Sequence, residues 1–130
     1  MKKIVVVIIC VLLLNILLSC SNEPTGIRDE FYNAGLEAMN IADKFLDMEI
    51  IAYEVFIKGT DLINKLDAAS GFSKFDNLSK KENLIMSLIF DLTLDSYFIS
   101  ESSTQEESYE KIFGTRNELA GLLGQETRDE

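Results

Sequence analysis

The chain has 130 residues and is acidic, because 22 aspartates and glutamates outnumber 12 lysines and arginines and give a formal net charge of −10 at pH 7. Such a chain repels the phosphates of nucleic acids and the anionic head groups of lipids, so we expect no nucleic acid among its partners. It contains no histidine and no tryptophan, which excludes imidazole acid–base catalysis and histidine-containing metal sites.

The N-terminus has the parts of an export signal in their usual order. Lys2 and Lys3 form a short basic region, and residues 4–18 are apolar except for Asn15. A helix over those residues rises only about 22 Å, against roughly 30 Å for the hydrocarbon core of a bilayer. We therefore predict that residues 1–19 are a cleaved signal peptide and not a permanent transmembrane anchor.

The end of the apolar run places a small residue directly before a cysteine, in the order Leu17, Leu18, Ser19, Cys20. This resembles the lipobox of bacterial lipoproteins, in which the cysteine thiol receives a diacylglyceryl group and the signal peptidase cuts before it. Leu18 replaces the commoner small residue, a looser form that resembles spirochaete lipoproteins. The alternative is an ordinary secretory signal with an incidental cysteine. Several acyl chains on Cys20 would make the attachment to the membrane durable.

The two cysteines leave nothing for a disulfide, because Cys10 lies in the discarded segment and Cys20 would carry the lipid. The mature domain must therefore be stable by packing alone. Loss of residues 1–19 removes two lysines and no acidic residue, so 111 residues remain with a formal charge of −12. This size predicts one domain.

The first part of the mature chain is predicted to be a short polar tether, residues 20–26, followed by a helical domain over residues 27–124. Apolar residues recur there at spacings of three and four, a pattern that favours a helix over a strand. They are Ile27, Phe31, Ala34, Ala38, Ile41, Phe45, Met48, Ala52 and Val55. We predict a long first helix from about 27 to 69, either continuous or kinked near Gly59, and stopped at Ser70 and Gly71.

A linker over residues 72–78 precedes the next predicted helix, at residues 80–99. Ser79 and Glu82 have the spacing of a capping box, which marks its start. Apolar residues point in almost every direction around its axis, so we expect it to be the most buried element. A membrane span is disfavoured because Asp91 and Asp95 would each cost roughly 2.5–3.5 kcal/mol at the centre of a bilayer.

The last part of the domain is predicted to be two short helices or one bent helix over residues 105–123. Two further capping signals favour it, Thr104 with Glu107 and Thr115 with Glu118, and the second follows the interruption at Gly114. A polar loop, residues 100–103, precedes this part. Gly124 closes it, and residues 125–130 are predicted to be a flexible tail. The fold class is thus a small all-α bundle of three to five helices.

Because the mature chain has no histidine and no free cysteine, carboxylates are its main candidates for catalytic or metal-binding groups. Asp91 and Asp95 stand one helical turn apart with Ser87 on the same side, and Asp43 and Asp47 are spaced likewise. Either pair could form a cation site or an acid–base pair, but we favour the interpretation that both line a solvated helix stripe. No stretch has the closely spaced oxygen ligands and glycine turn of a calcium loop. We expect no enzyme activity, no cofactor and no metal site.

The lysine-led signal, the Leu-Leu-Ser-Cys lipobox, the polar tether, the frequent Ile, Leu, Lys, Asn, Phe and Ser, and the acidic helical body together resemble the small surface lipoproteins of Borrelia-type spirochaetes. The specific match covers about the first twenty residues, and the rest of the chain matches only in composition and acidic helical character. The resemblance implies an outer-membrane lipoprotein exposed on the cell surface that contacts host or vector molecules. It transfers no partner-binding residue.

Two classes of function follow. The first is a membrane-anchored module that binds a host or vector protein in adhesion or immune evasion. The second is a periplasmic or surface carrier or chaperone for an apolar ligand, or a structural envelope protein, suggested by the surplus of apolar residues in segments 27–58 and 80–99. That surplus also fits a homodimer interface, which we favour over a ligand pocket.

Overall fold

The computed structural model describes residues 26–70, 77–99 and 105–129. Four α-helices lie in these ranges and no strand does: α1 Asp29–Leu46, α2 Ala52–Ser70, α3 Lys80–Ile99 and α4 Gln105–Leu123. The prediction of a small all-α bundle is confirmed. The predictions for the signal peptide, the lipobox, Cys20 and residues 21–25, 71–76, 100–104 and 130 lie outside the described residues.

The helices form an up-down-up-down bundle. Each one packs against its neighbours in the order α1, α2, α3, α4 and back to α1, and α1 also contacts α3 across the centre. All four contribute side chains to one core. Its members include Phe31, Ala38, Leu46, Val55, Leu66, Ile85, Ile89, Leu92, Ile112, Leu119 and Leu123.

The bundle has a proximal end, where α1 and α3 begin and where the chain enters at Gly26. Ser79 and Glu82 form the predicted capping box there: Ser79 N donates to Glu82 Oε2 at 2.9 Å, and Glu82 N donates to Ser79 Oγ at 3.2 Å. Ser79 Oγ also donates to the carbonyl of Gly26 at 2.6 Å. Arg28 Nε donates to Glu82 Oε1 at 2.9 Å, so an ion pair joins the starts of α1 and α3.

The prediction of one long helix over residues 27–69 is wrong, because the chain reverses at residues 47–51. Met48 has a φ of +60°, the left-handed conformation that ends many helices. Glu49 N donates to the carbonyl of Lys44 at 2.8 Å, and Met48 N donates to that of Phe45 at 3.0 Å. These are the two bonds of a Schellman motif, although glycine usually occupies its left-handed position. The apolar spacing continues past the turn because α1 and α2 bury faces toward the same core.

Met48 is a costly residue at this position, since a side chain in the left-handed region loses about 1 kcal/mol that glycine does not. It is also 85% exposed. We expect Met48→Gly to raise the free energy of unfolding in urea by about 0.5–1 kcal/mol. Met48→Ala keeps the unfavourable φ and should show no such gain. If the glycine variant is no more stable than the alanine variant, the left-handed backbone at residue 48 does not destabilise the protein.

Gly59 does not kink a helix, because it lies inside α2, where its backbone packs closely on Thr93 of α3. Gly114 does not divide the last helix either. Thr115 and Glu118 therefore do not start a new helix, and α4 runs unbroken because Ile112 and Leu119, on either side of the glycine, are both fully buried. Of the two forms predicted for residues 105–123, the single helix is the one found.

The third helix is less buried than its apolar composition predicts. Its inner side carries core residues, but Leu84, Leu94, Tyr97 and Phe98 are all exposed on its outer side. The other helices pack on the inner side of α3, and on its outer side the ring of Tyr97 contacts Phe56 of α2, so this apolar face is only partly covered in the described chain. Within residues 26–70, 77–99 and 105–129, none of the helices combines the length and the apolar character needed to cross a membrane.

Candidate functional site

Exposed apolar side chains are concentrated at the distal end of the bundle, where α1 and α3 end and α2 and α4 begin. Tyr53 and Phe98 are 57% and 56% exposed. We call this set, together with the half-buried Phe56, the distal apolar surface; its exposed members are Met48, Ile51, Tyr53, Ile57, Leu94, Tyr97 and Phe98. Apolar patches of this kind mark contact sites more often than isolated exposed residues do.

A chain of four aromatic rings fixes the centre of this surface. The rings of Phe56 on α2 and Tyr97 on α3 lie 5.2 Å apart between centroids, so they join the two helices. Tyr53 extends the chain on one side at 6.3 Å, and Phe98 on the other at 5.6 Å with its ring edge-on. Such geometries are attractive and restrict the rings. The ring contacts therefore fix the positions of the four aromatic side chains relative to one another.

The distal apolar surface faces away from the point where the chain enters the domain. Gly26 lies at the proximal end, beside the start of α3. The 18 residues of α1 span about 27 Å at 1.5 Å per residue. A tether attached to Gly26 would thus hold the distal apolar surface at the opposite end of the bundle.

Carboxylates border the distal apolar surface. Glu49, Glu54 and Asp91 are exposed, and Asp95 is half-buried. Burial raises the pKa of Asp95, the positive charge of Lys111 opposes that rise, and the negative charge of Asp91 adds to it. The border therefore has an acidic character.

Arginines pair with Asp43 and Asp47, the first of the two carboxylate pairs seen in the sequence. Arg116 Nε donates to Asp43 Oδ1 at 2.9 Å, and Arg128 bridges Asp43 and Asp47. The hydrogen bond from Arg128 lowers the pKa of Asp47, and burial opposes it. These contacts hold α4 and the tail against the end of α1. The pair is thus part of an ion-pair network and not an open cation site.

The second pair, Asp91 and Asp95, lies on α3 beside the distal apolar surface, with Ser87 exposed one turn before Asp91. In the part of the chain that the structure describes, no three carboxylate or cysteine side chains are grouped so that they could hold a metal ion. The contribution of this pair is negative charge at the edge of the apolar surface.

The tail was predicted to be flexible, but residues 125–129 turn back and lie along α4. Gly124 has a φ of +67°, which allows the reversal. Asn117 then pairs with Arg128 in both directions: its Nδ2 donates to the carbonyl of Arg128 at 2.9 Å, and its Oδ1 accepts from Arg128 N at 2.8 Å. Hydrogen bonds from α4 thus replace the solvent contacts of a free tail.

We expect Arg128→Gln to loosen the turn between α1 and α2, because Arg128 holds the end of α1 through Asp43 and Asp47. Hydrogen exchange followed by NMR should show faster exchange at the amides of Glu49 and Ile50, which both donate to the carbonyl of Lys44 in the last turn of α1. Lys58→Gln makes the same charge change and should leave both amides unaffected. Equal exchange in the two variants would show that Arg128 does not stabilise the turn.

Sequence reasoning missed the distal apolar surface, although the surplus of apolar residues in segments 27–58 and 80–99 was a sign of it. Spacing along one helix shows that a face is apolar but not whether a neighbour covers it. Arg116 and Arg128 were also missed, because their partners lie 73 and more residues away in the chain. Comparisons with protein-family models, with characterised proteins and with solved structures found no match for this chain.

Proposed function

We propose that this protein is a lipoprotein anchored through Cys20, displayed on the outer face of a bacterial envelope, and that it binds a host or vector protein through its distal apolar surface. The binding serves adhesion or immune evasion and involves no catalysis. The lipobox Leu17, Leu18, Ser19 and Cys20 supports the anchor, and the resemblance to spirochaete surface lipoproteins supports the display.

The observation that carries the proposal is the position of the distal apolar surface. Exposed aromatic side chains are unfavourable in water unless a partner covers them. Aromatic residues and methionine are enriched in protein interfaces, and Tyr53, Tyr97, Phe98 and Met48 are exposed here. A surface at the far end from the tether is accessible to a large partner, whereas a surface beside the membrane is not.

The anchor is tested by substituting the cysteines one at a time. Cells supplied with radioactive fatty acid should label the wild-type protein and the Cys10→Ala variant, and should leave the Cys20→Ala variant unlabelled and unprocessed before residue 20. Cys10→Ala is the matched control because it removes a thiol from the same N-terminal segment. A labelled or normally matured Cys20→Ala protein would refute the lipoprotein assignment.

The display is tested by protease treatment of intact cells. A protein on the outer face is digested while the envelope is whole, and a periplasmic protein survives until the envelope is broken. Survival would contradict contact with a host protein and would favour the carrier or structural function.

The binding surface is tested with two variants of α3 in a screen against serum and matrix proteins. Leu94→Ser with Phe98→Ser should weaken binding of any captured protein about tenfold or more, because truncating a central interface residue costs about 1–2 kcal/mol. Leu84→Ser is the control, since Leu84 is also exposed on α3 but lies near the proximal end. Equal binding by both variants would place the contact elsewhere.

A further inference from the structure

We infer that the partner of the distal apolar surface is a protein patch with an apolar centre bordered by lysine and arginine side chains. The inference rests on the proposed function and names the chemistry of its partner.

The first observation is the arrangement of carboxylates around the apolar side chains. On α3, Asp91 precedes Leu94 by three residues and Phe98 by seven, so the three share one helix face. Glu49 is exposed in the turn between α1 and α2, and Glu54 is exposed in the first turn of α2. Acidic groups thus border the apolar centre on both of the helices that form it.

The second observation is that most of the nearby cations are already paired. Arg116 and Arg128 form ion pairs with Asp43 and Asp47. Lys111, beside Asp95, lies 3.6 Å from Glu107. Lys58 is exposed and Lys44 is half-buried, but the four carboxylates of the border outnumber these two lysines. The border therefore presents net negative charge, and a partner with positive charge around its own apolar centre is complementary to it.

The same charges disfavour the other occupants of this surface. A second copy of the chain would bring two acidic borders together, and like charges at an interface cost free energy that rises as salt is lowered. Anionic lipid head groups are repelled by the same carboxylates. A cationic protein patch is attracted, and its attraction grows as salt is lowered.

The test uses the full-length lipid-anchored protein in nanodiscs of zwitterionic lipid. Two labelled synthetic helical peptides serve as probes; they share one face of leucine and phenylalanine, which is flanked by lysines in one peptide and by glutamates in the other. We expect the lysine peptide to bind at least about tenfold more tightly than the glutamate peptide, and to bind more tightly as salt falls from about 0.3 M to about 0.05 M. Empty nanodiscs measure binding to lipid.

Two pairs of charge-removing substitutions test which carboxylates cause the preference for the lysine peptide. Glu49→Gln with Asp91→Asn should weaken the lysine peptide about five- to tenfold and flatten its salt dependence, because exposed charge pairs contribute a few tenths to 1 kcal/mol each. Glu30→Gln with Glu37→Gln removes the same charge from exposed positions nearer the proximal end and should leave binding unchanged.

The outcomes separate this inference from the proposed function. Equal binding of the two peptides, or an equal loss in the two pairs of charge variants, would overturn the acidic border as the selecting feature while the distal apolar surface stays the contact site. If Phe98→Ser leaves peptide binding unchanged, the contact site itself is wrong. Tighter association between copies of the chain at low salt than at high salt would overturn the argument against a second copy.

Discussion

Replacing Glu82 by glutamine should lower the free energy of unfolding by about 2 kcal/mol at about pH 7. Burial raises the pKa of Glu82, but hydrogen bonds from Arg28 and from the backbone of Ser79 outweigh it and lower the pKa from 4.5 to about 2. That shift corresponds to about 3 kcal/mol. The expected loss is smaller because the side chain of Arg28 is 44% exposed and solvent screens it. Urea denaturation followed by circular dichroism measures the difference.

The effect of Glu82→Gln should depend on pH. Since the pKa of Glu82 is lower in the folded protein than its ordinary value of 4.5, its stabilising contribution is present above about pH 4.5 and is lost as the pH falls toward about 2. The stabilities of wild type and variant should therefore converge in acid. Glu37→Gln is the control, because Glu37 is 51% exposed and lies 3.9 Å from Lys65. It should cost less than about 0.5 kcal/mol. A difference that stays constant with pH would contradict the role of the Glu82 charge.

Gly59→Ala should also destabilise the bundle, by about 2 kcal/mol, where α2 and α3 approach most closely. A Cβ atom at residue 59 would lie 3.1 Å from Thr93 Cβ and well inside van der Waals contact of Thr93 Oγ1. Thr93 has little freedom to move because its hydroxyl donates to the carbonyl of Ile89 at 2.7 Å in a buried site. Overpacking costs about 1–3 kcal/mol, and contacts this short against a fixed side chain place the cost at the upper end of that range. Subtracting the roughly 1 kcal/mol that alanine gains in a helix leaves the net loss of about 2 kcal/mol.

Two further variants isolate the steric cause. Gly121 is exposed in α4, and a methyl group added there would meet no neighbouring side chain within 4 Å, so Gly121→Ala should stabilise the protein by about 0.5–1 kcal/mol. In a Thr93→Ala background, Gly59→Ala should become nearly neutral, and the double-mutant cycle should give a coupling of about 2 kcal/mol. Equal losses for Gly59→Ala in both backgrounds would show that Thr93 is not the obstacle.

Local signals in the sequence predicted the helical character and one helix start correctly. The capping box of Ser79 and Glu82 involves residues three apart, so it can be recognised without the fold. The end of α1 could not be recognised in this way. Its left-handed residue is Met48, where the usual signal is glycine, and the apolar spacing continues across the turn because both helices face one core.

The candidate site was predictable only in part. The sequence showed more apolar residues than a small bundle needs, but tertiary packing decides which of them stay exposed, and it covers Ile89 while leaving Phe98 open. The same holds for Asp43 and Asp47, whose arginine partners come from α4 and the tail. Contacts between distant parts of a chain leave no short-range pattern in the sequence, so residue spacing alone did not identify the arginines that pair with these carboxylates.

The returning tail also determines where a reporter can be fused to this protein. Since Arg128 reaches Asp47 at the end of α1, a fluorescent protein or epitope tag fused to the tail directly after Arg128 would lie near Met48 and would mask the distal apolar surface. The start of α3 is at the opposite end of the bundle, next to Gly26. A short tag inserted there would leave the distal residues open to antibodies and ligands alike.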